Sequence, residues 1–332
     1  MQMNKRQKFF IYVVPTCVSI VFLVLALRSL DLREFLRLLG SVKLQFLLIA
    51  LGVIGLNSLL RAFRWRTLLA RDHSGRLGEV YWAMMVGYLG NSYLPARIGE
   101  FLRAYALGKK TTLSPVLIFS TGLVERVFDT FFLVGLGWLA LRFLNIPGTL
   151  FFQASQKIMI MLIAFLVILL CVARFRRLAH YLIARLPVRE HLREMIVRHW
   201  ETFNYGLTSL HTVRTTLTFF ICTVMIWSGD VLVSLLVSAS LDLSFNLPTA
   251  YFLNSMLGLS SAIPATPGSL GVFQFVAVSV LTPLGYNTNE SLAFILILQV
   301  IGYLHVTVFG LLGIWKTGIG LSPRLISELG DQ

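Results

Sequence analysis

Residues 243–289 run for 47 positions without a single Asp, Glu, Lys or Arg. One helix of that length would reach roughly 70 Å, over twice the roughly 30 Å hydrocarbon core of a bilayer. Pro248, Pro264, Pro267 and Pro283 forbid it in any case, because each removes an amide donor and clashes with the preceding turn. The stretch therefore predicts helix, break, helix inside a membrane. Broken backbone at that depth is tolerated only when it is buried in protein or lines a wet cavity. Of the 332 residues, 56% are hydrophobic and 13% charged, against about 25% charged in a soluble domain. A soluble domain, a disordered chain and a disulfide scaffold are thereby excluded. Cys17, Cys171 and Cys222 lie inside apolar runs and read as small hydrophobes. Neither C-x-x-C nor H-E-x-x-H occurs, and no metal or cofactor is expected.

Six segments read as full spans: 9–27, 44–60, 114–141, 158–173, 215–241 and 291–315. The first follows a basic head and is read as an uncleaved span. The second ends in the basic cluster Arg61, Arg64, Arg66. The third is long enough only if it includes Glu125, Arg126 and Asp129. Residues 80–106 read as a second helix–break–helix hairpin. The expected fold is an all-α polytopic membrane protein with six spans and two re-entrant hairpins.

The two breaks match. Ser92, Pro95, Ala96 and Gly99 align with Ser261, Pro264, Ala265 and Gly268 at a constant offset of 169. Each half, 1–150 and 151–320, reads span, span, hairpin, span. Three full spans is an odd number, so the second half would be inverted, a pattern that points to a transporter site at the breaks. The net charge is +14, from 29 Lys+Arg against 15 Asp+Glu. With the N-terminus inside, 22 of the 29 fall on the cytoplasmic side and 6 outside, which the positive-inside rule favours. The excess is thus topological, and no nucleic-acid partner is implied. Residues 174–214 form a basic loop whose 178–203 stretch is amphipathic. It reads as an interfacial helix on anionic lipid or as a docking site for a membrane enzyme.

Three constellations could carry chemistry. Asn91, Pro95, Arg97, Gly99, Glu100 and Arg103 surround the first break, where guanidinium forks match phosphate oxygens. The same arginines also suit positive-inside anchors. Glu125, Arg126 and Asp129 sit within five residues, and Glu125 and Asp129 share a helical face. At membrane depth they should face the bundle interior and pair with Arg97, Arg103 or one another. Pro264, Thr266, Pro267 and Gly268 shape the uncharged second break. Asp230 is a candidate proton site, or a buried acid satisfied by Asn254 or Ser228.

At these motifs the sequence resembles the lysylphosphatidylglycerol synthase transmembrane, or flippase-like, family. Its N-x-x-L-P-x-R-x-G-E-x-x-R pattern is met by Asn91, Leu94, Pro95, Arg97, Gly99, Glu100 and Arg103, and its E-R-x-x-D by Glu125, Arg126 and Asp129. Its P-x-x-P-G-x-x-G is met by Pro264, Pro267, Gly268 and Gly271, and R-x-x-R-W-R by Arg61 to Arg66. The resemblance implies an inner-membrane protein that moves polar lipids between leaflets. Bifunctional members carry an aminoacyl-transferase domain after this module. Here the sequence ends about 17 residues after the last span, so synthase activity is not carried over.

The leading expectation is a translocase for an anionic polar or isoprenoid-linked lipid, with membrane lipids as its partners. A membrane-embedded lipid phosphatase or pyrophosphatase is the rival, although no His lies near either motif to serve a nucleophile. A non-catalytic partner of a lipid-modifying enzyme, docked through 174–214, is the third reading.

Overall fold

The structure is a computed structural model that describes residues 14–69, 76–94, 98–111, 113, 115–144, 181, 183, 185, 190–207, 212–263 and 266–319. The expected span 158–173, most of the 174–214 loop, Pro95, Arg97 and Pro264 lie outside the described residues. Among the described residues there are helices and turns and no strand. The helices are α1 (Val14–Leu27), α2 (Leu32–Gly40), α3 (Leu44–Leu69), α4 (Leu77–Tyr93), α5 (Gly99–Lys110) and α6 (Pro115–Phe143). They continue with α7 (Glu190–Leu207), α8 (Val213–Ser240), α9 (Leu247–Ser260), α10 (Val272–Leu281) and α11 (Thr288–Thr317).

Local chemistry sets the helix ends. Asp31 caps α2 through the amides of Arg33 and Glu34. Asn287 and Glu290 form a reciprocal capping box at the start of α11, which stops at Gly318 in the left-handed region. Asn246 caps α9, with Pro248 in its first turn, where its missing amide leaves no intrahelical bond unmade.

Leu44–Leu69, Val213–Ser240, Pro267–Leu284 and Thr288–Thr317 are each long and apolar enough to cross a bilayer. Pro15–Leu27 and Leu32–Gly40 would make a fifth if this pair, bent by 90°, counts as one span. Large apolar side chains such as Leu44, Leu56, Val213 and Trp315 are exposed, as lipid contact requires. The protein is a multi-pass membrane protein. α6 has 29 residues, ample for a crossing, and carries Glu125, Arg126 and Asp129 in its middle.

The structure corrects the sequence reading at one place and adds detail at two others. α3 does not end at the basic cluster. It runs on to Leu69, because Ala62, Trp65, Leu68 and Leu69 supply a further buried face. Arg61 and Arg64 are therefore inside the bundle, and so is Arg103. Moving these three from the cytoplasmic tally leaves 19 against 6, the same direction of bias. The amphipathic stretch around 190–207 is a helix, but it packs on α6, with Trp200 beside the Val124, Phe128 and Phe219 cluster. The uncharged region has a 14-residue first arm, while its second arm, Pro267–Leu284 with its flanking 3-10 turns, is itself as long as a span.

α3 and α8 pair antiparallel. The Lys43 amide donates to Ser240 O at 2.9 Å at one end, and Lys43 and Asp242 form an ion pair there. Asn57 Nδ2 donates to Ile226 O at 2.9 Å at the middle. Arg64 Nη1 donates to Thr223 Oγ1 at 2.8 Å toward the other end. α4 lies along α11, with Gly310 against Leu89 and Met85 and Gly313 against Trp82 and Val86. α6 lies along α9, with Gly258 against Leu133 and Gly137 against Ser255. One buried apolar cluster joins α3, α6 and α8 to α11, including Val233, Val237, Leu253 and Phe294. A second joins α3 to α6 around Trp65, Met84, Leu102 and Ile118.

The first hairpin is unusually close. A Cβ on Gly99 would run into the carbonyl oxygen of Gly87 and stand 2.6 Å from the amide nitrogen of Asn91. Gly99→Ala should therefore destabilise the protein by about 1–3 kcal/mol through overpacking. Gly52→Ala, at a site where a Cβ meets nothing within 4 Å, should not. Thermal unfolding in detergent measures both, and equal melting temperatures would contradict the packing.

Candidate functional site: a buried ion-pair network

α6 presents Glu125 and Asp129 one turn apart, and α3 presents Arg64 between them. Arg64 Nη2 lies 2.8 Å from Glu125 Oε1, and Nη1 and Nη2 lie 2.6 and 2.8 Å from the two oxygens of Asp129. Its side chain is 1% exposed. Thr223 accepts from Nη1, and the Phe219 ring covers the guanidinium at 5.1 Å. Trp227 Nε1 adds a donor to Asp129 at 3.2 Å. Every strong group of this fork thus has a partner, which a charge out of water demands.

The network continues into the first hairpin. Arg103 of α5 reaches Glu125 Oε2 at 3.3 Å and Glu100 Oε2 at 2.7 Å, stacked on Trp65 at 4.8 Å. Arg126 closes it, with Nη2 at 2.6 Å from Glu100 Oε1. Asn91 Nδ2 donates to the same oxygen at 3.3 Å, while its buried Oδ1 has no hydrogen-bond partner. Three arginines meet three carboxylates, so the described network is neutral. Arg126, 46% exposed, is its outward end.

The sequence offset gives this placement a counterpart. Adding 169 to Arg64, Arg103, Glu125, Arg126 and Asp129 gives Val233, Val272, Phe294, Ile295 and Leu298. Val233, Phe294 and Ile295 are buried in the large apolar cluster, Leu298 packs against it, and Val272 is buried as well.

The other predicted residues form two further groups. Asp230 pairs with Arg61 and accepts from Asn57 Nδ2 at 2.7 Å. Asn254 and Ser228, its expected partners, instead bond Ser234 with Ala250 O, and Tyr251. At the second break the Thr266 amide donates to Ser19 Oγ of α1 at 2.8 Å. Gly268, at φ +75°, offers its carbonyl to Gln299 Nε2 at 3.2 Å and to the Tyr303 hydroxyl. Pro267 opens that same turn. These residues make none of the network's ion pairs. Tyr93, at the end of α4, and Tyr303 of α11, which donates to the Gly268 carbonyl, have rings 6.4 Å apart.

Two comparisons place this arrangement. The model of the lysylphosphatidylglycerol synthase TM region matches residues 12–310. The chain belongs to this family. It is 26% identical over 225 residues to a UPF0104 membrane protein of Methanocaldococcus jannaschii, covering 66% of this chain and 90% of that one. It is 24% identical to a UPF0104 membrane protein of Methanothermobacter thermautotrophicus, covering 98% and 100%. A shorter similarity, 30% over 131 residues, covers 39% of this chain and 21% of the glycosyltransferase AglD of Haloferax volcanii.

Within this family member, sequence reasoning brought Asn91, Glu100, Arg103, Glu125, Arg126 and Asp129 to one place and missed Arg64 as their centre. Arg64 ends an apolar run, the position of an ordinary interfacial anchor. The signal that could have found it is Trp65 and Leu68 following it, which continue a buried helix. Among the described residues, no group of three or more His, Cys, Asp or Glu could hold a metal ion.

Removing one partner of a buried ion pair leaves the other uncompensated and costs about 3–5 kcal/mol. Arg64→Met should show a loss of that size in thermal unfolding. The double variant Arg64→Met with Asp129→Leu should lose clearly less than the sum of the two single changes. Additive losses would mean the pair is not coupled.

Proposed function

We propose that the protein is a lipid translocase that moves a phosphate-bearing, anionic or isoprenoid-linked polar lipid between leaflets. The observation that carries this is the neutral network of three arginines and three carboxylates, set inside an apolar bundle beside a helix break. In apolar surroundings such a network contributes less to stability than well-packed hydrophobic residues would. The counterpart positions in the second half are built that way. A phosphate arriving at Arg126 would replace Glu100 as its partner, with Arg103, which also pairs with Glu100, to share the charge. The tails would stay in lipid while the headgroup passes between the two breaks.

The same reading makes both hairpins re-entrant and the two halves an inverted repeat. Antiparallel α3 and α8 support this, because they touch through Asn57 with Ile226 and Arg61 with Asp230. Both pairs are 169 apart, the offset between the breaks. A two-fold axis through that crossing would bring offset-related residues face to face. It would also exchange the α4–α11 pair with the α9–α6 pair, and both pairs are packed. The charge bias supports a topology with both termini cytoplasmic, and the proposed membrane is the plasma membrane, the inner membrane in a bacterium. A membrane-impermeant thiol reagent applied from outside should then label a cysteine at Asp242 and spare one at Lys109.

Reconstituted vesicles provide the functional test. The wild-type chain should speed transbilayer movement of a fluorescent anionic phospholipid, and Glu125→Gln and Arg97→Ala should each slow it at least tenfold. Unchanged movement in both variants would remove the site. Phosphate release from a lipid pyrophosphate by the purified protein would favour the hydrolase instead.

A further inference from the structure

A second polar site lies where α3 and α8 cross. A cavity of about 230 Å³ opens there, lined among others by Asn57, Arg61, Tyr88, Asp230, Asn254 and His305. None of these belongs to the Arg64 network. Asn57 and Ile226 are at the middles of helices of 26 and 28 residues, so the cavity lies at mid-height along both.

Two features say that it receives something. His305 is 95% buried, and its Nε2 has no hydrogen-bond partner. Buried polar atoms are almost always satisfied, and this one belongs to a side chain of the cavity wall. The Arg61–Asp230 pair is also more open than its neighbour. Its side chains are 20% and 27% exposed, against 1% for Arg64.

The charge of the walls limits the ligand. One guanidinium and one carboxylate make the cavity neutral. A lone anion would meet Asp230 and a lone cation would meet Arg61, each with a desolvation cost that nothing repays. A group carrying both signs a few ångströms apart gains a charge-assisted bond at each end. The volume falls below the ~300–1,000 Å³ of pockets for drug-sized ligands, which suits a headgroup without its tails. We infer that this cavity binds a zwitterionic phosphoester, its phosphate at Arg61 and His305 and its primary ammonium at Asp230. The sequence makes Asp230 a candidate proton site; here it is the ammonium's partner. The translocase reading is needed only to make that ligand a lipid headgroup in transit. A free phosphoester of the same charge has the same chemistry.

Melting temperature of the detergent-purified full chain tests this, because a ligand that binds only the folded state raises it. Dihexanoyl phosphatidylethanolamine should raise it. Dihexanoyl phosphatidylglycerol, which lacks the ammonium, and dihexanoyl phosphatidylcholine, whose ammonium cannot donate, should need at least tenfold more. Gly302 lines the cavity, and a Cβ there meets nothing within 4 Å. Gly302→Leu should therefore fold, fill the space and weaken the effect at least tenfold, as should His305→Gln. Gly52→Leu, away from the cavity, should leave it intact. Glycerophosphoethanolamine, the same zwitterionic diester without tails, acting as strongly as the lipid supports the site and makes a soluble ester its ligand. Phosphatidylglycerol matching phosphatidylethanolamine, or an undiminished effect in Gly302→Leu, overturns the inference. Lipid movement by a wild-type chain that phosphatidylethanolamine does not stabilise overturns this inference and leaves the translocase reading standing. Stabilisation without movement does the reverse.

Discussion

Arg64 is held by Glu125 and Asp129 with almost no contact with solvent, and the arrangement of the first half follows from that fork. A guanidinium so far from water must be matched oxygen for proton. The match fixes the rotation of α3 about its axis, and with it the face that α6 turns inward. Glu125 then has one oxygen left for Arg103, which draws α5 against α6. Glu100 balances Arg103 and anchors Arg126. The hairpin cannot shift by one residue without leaving a charge unpaired. Close approach at Gly87, Gly90 and Gly99 is the steric side of the same requirement.

The core that α8 to α11 share is held by apolar side chains instead. Under the proposed repeat, Val233, Phe294 and Ile295, buried in the large apolar cluster, would be the counterparts of Arg64, Glu125 and Arg126. A packed apolar core is cohesive over a wide range of small displacements, whereas an ion-pair network has a few discrete arrangements.

Much of this was legible in the sequence. The 47 uncharged residues with four prolines gave away a broken membrane segment, and the spacing of Glu125 and Asp129 gave their common face. That the acids of α6 pair with Arg97, Arg103 or one another followed from the cost of a lone charge, and Glu125 meets Arg103. Arg64 was not legible, because periodicity says where an apolar run stops and not whether the helix goes on. The partners of Asp230 were missed for a related reason. Asn254 and Ser228 are near in sequence, while Arg61 and Asn57 come from a helix 169 and 173 residues earlier. Only the antiparallel crossing of α3 and α8 brings them within reach.

That crossing also bears on how the chain is made. Synthesis proceeds at about 5–20 residues per second, so Arg61 enters the membrane some 8–34 s before Asp230 exists. Arg64 waits only about 3–13 s for Glu125 and Asp129. α4 and α6 are made long before α11 and α9, the helices they pack against. For about half of the synthesis time Arg61 thus exists without Asp230, and α4 and α6 wait for the helices they pack against. The α3–α8 crossing can close once α8 is made, whereas the α4–α11 seam waits for the last helix.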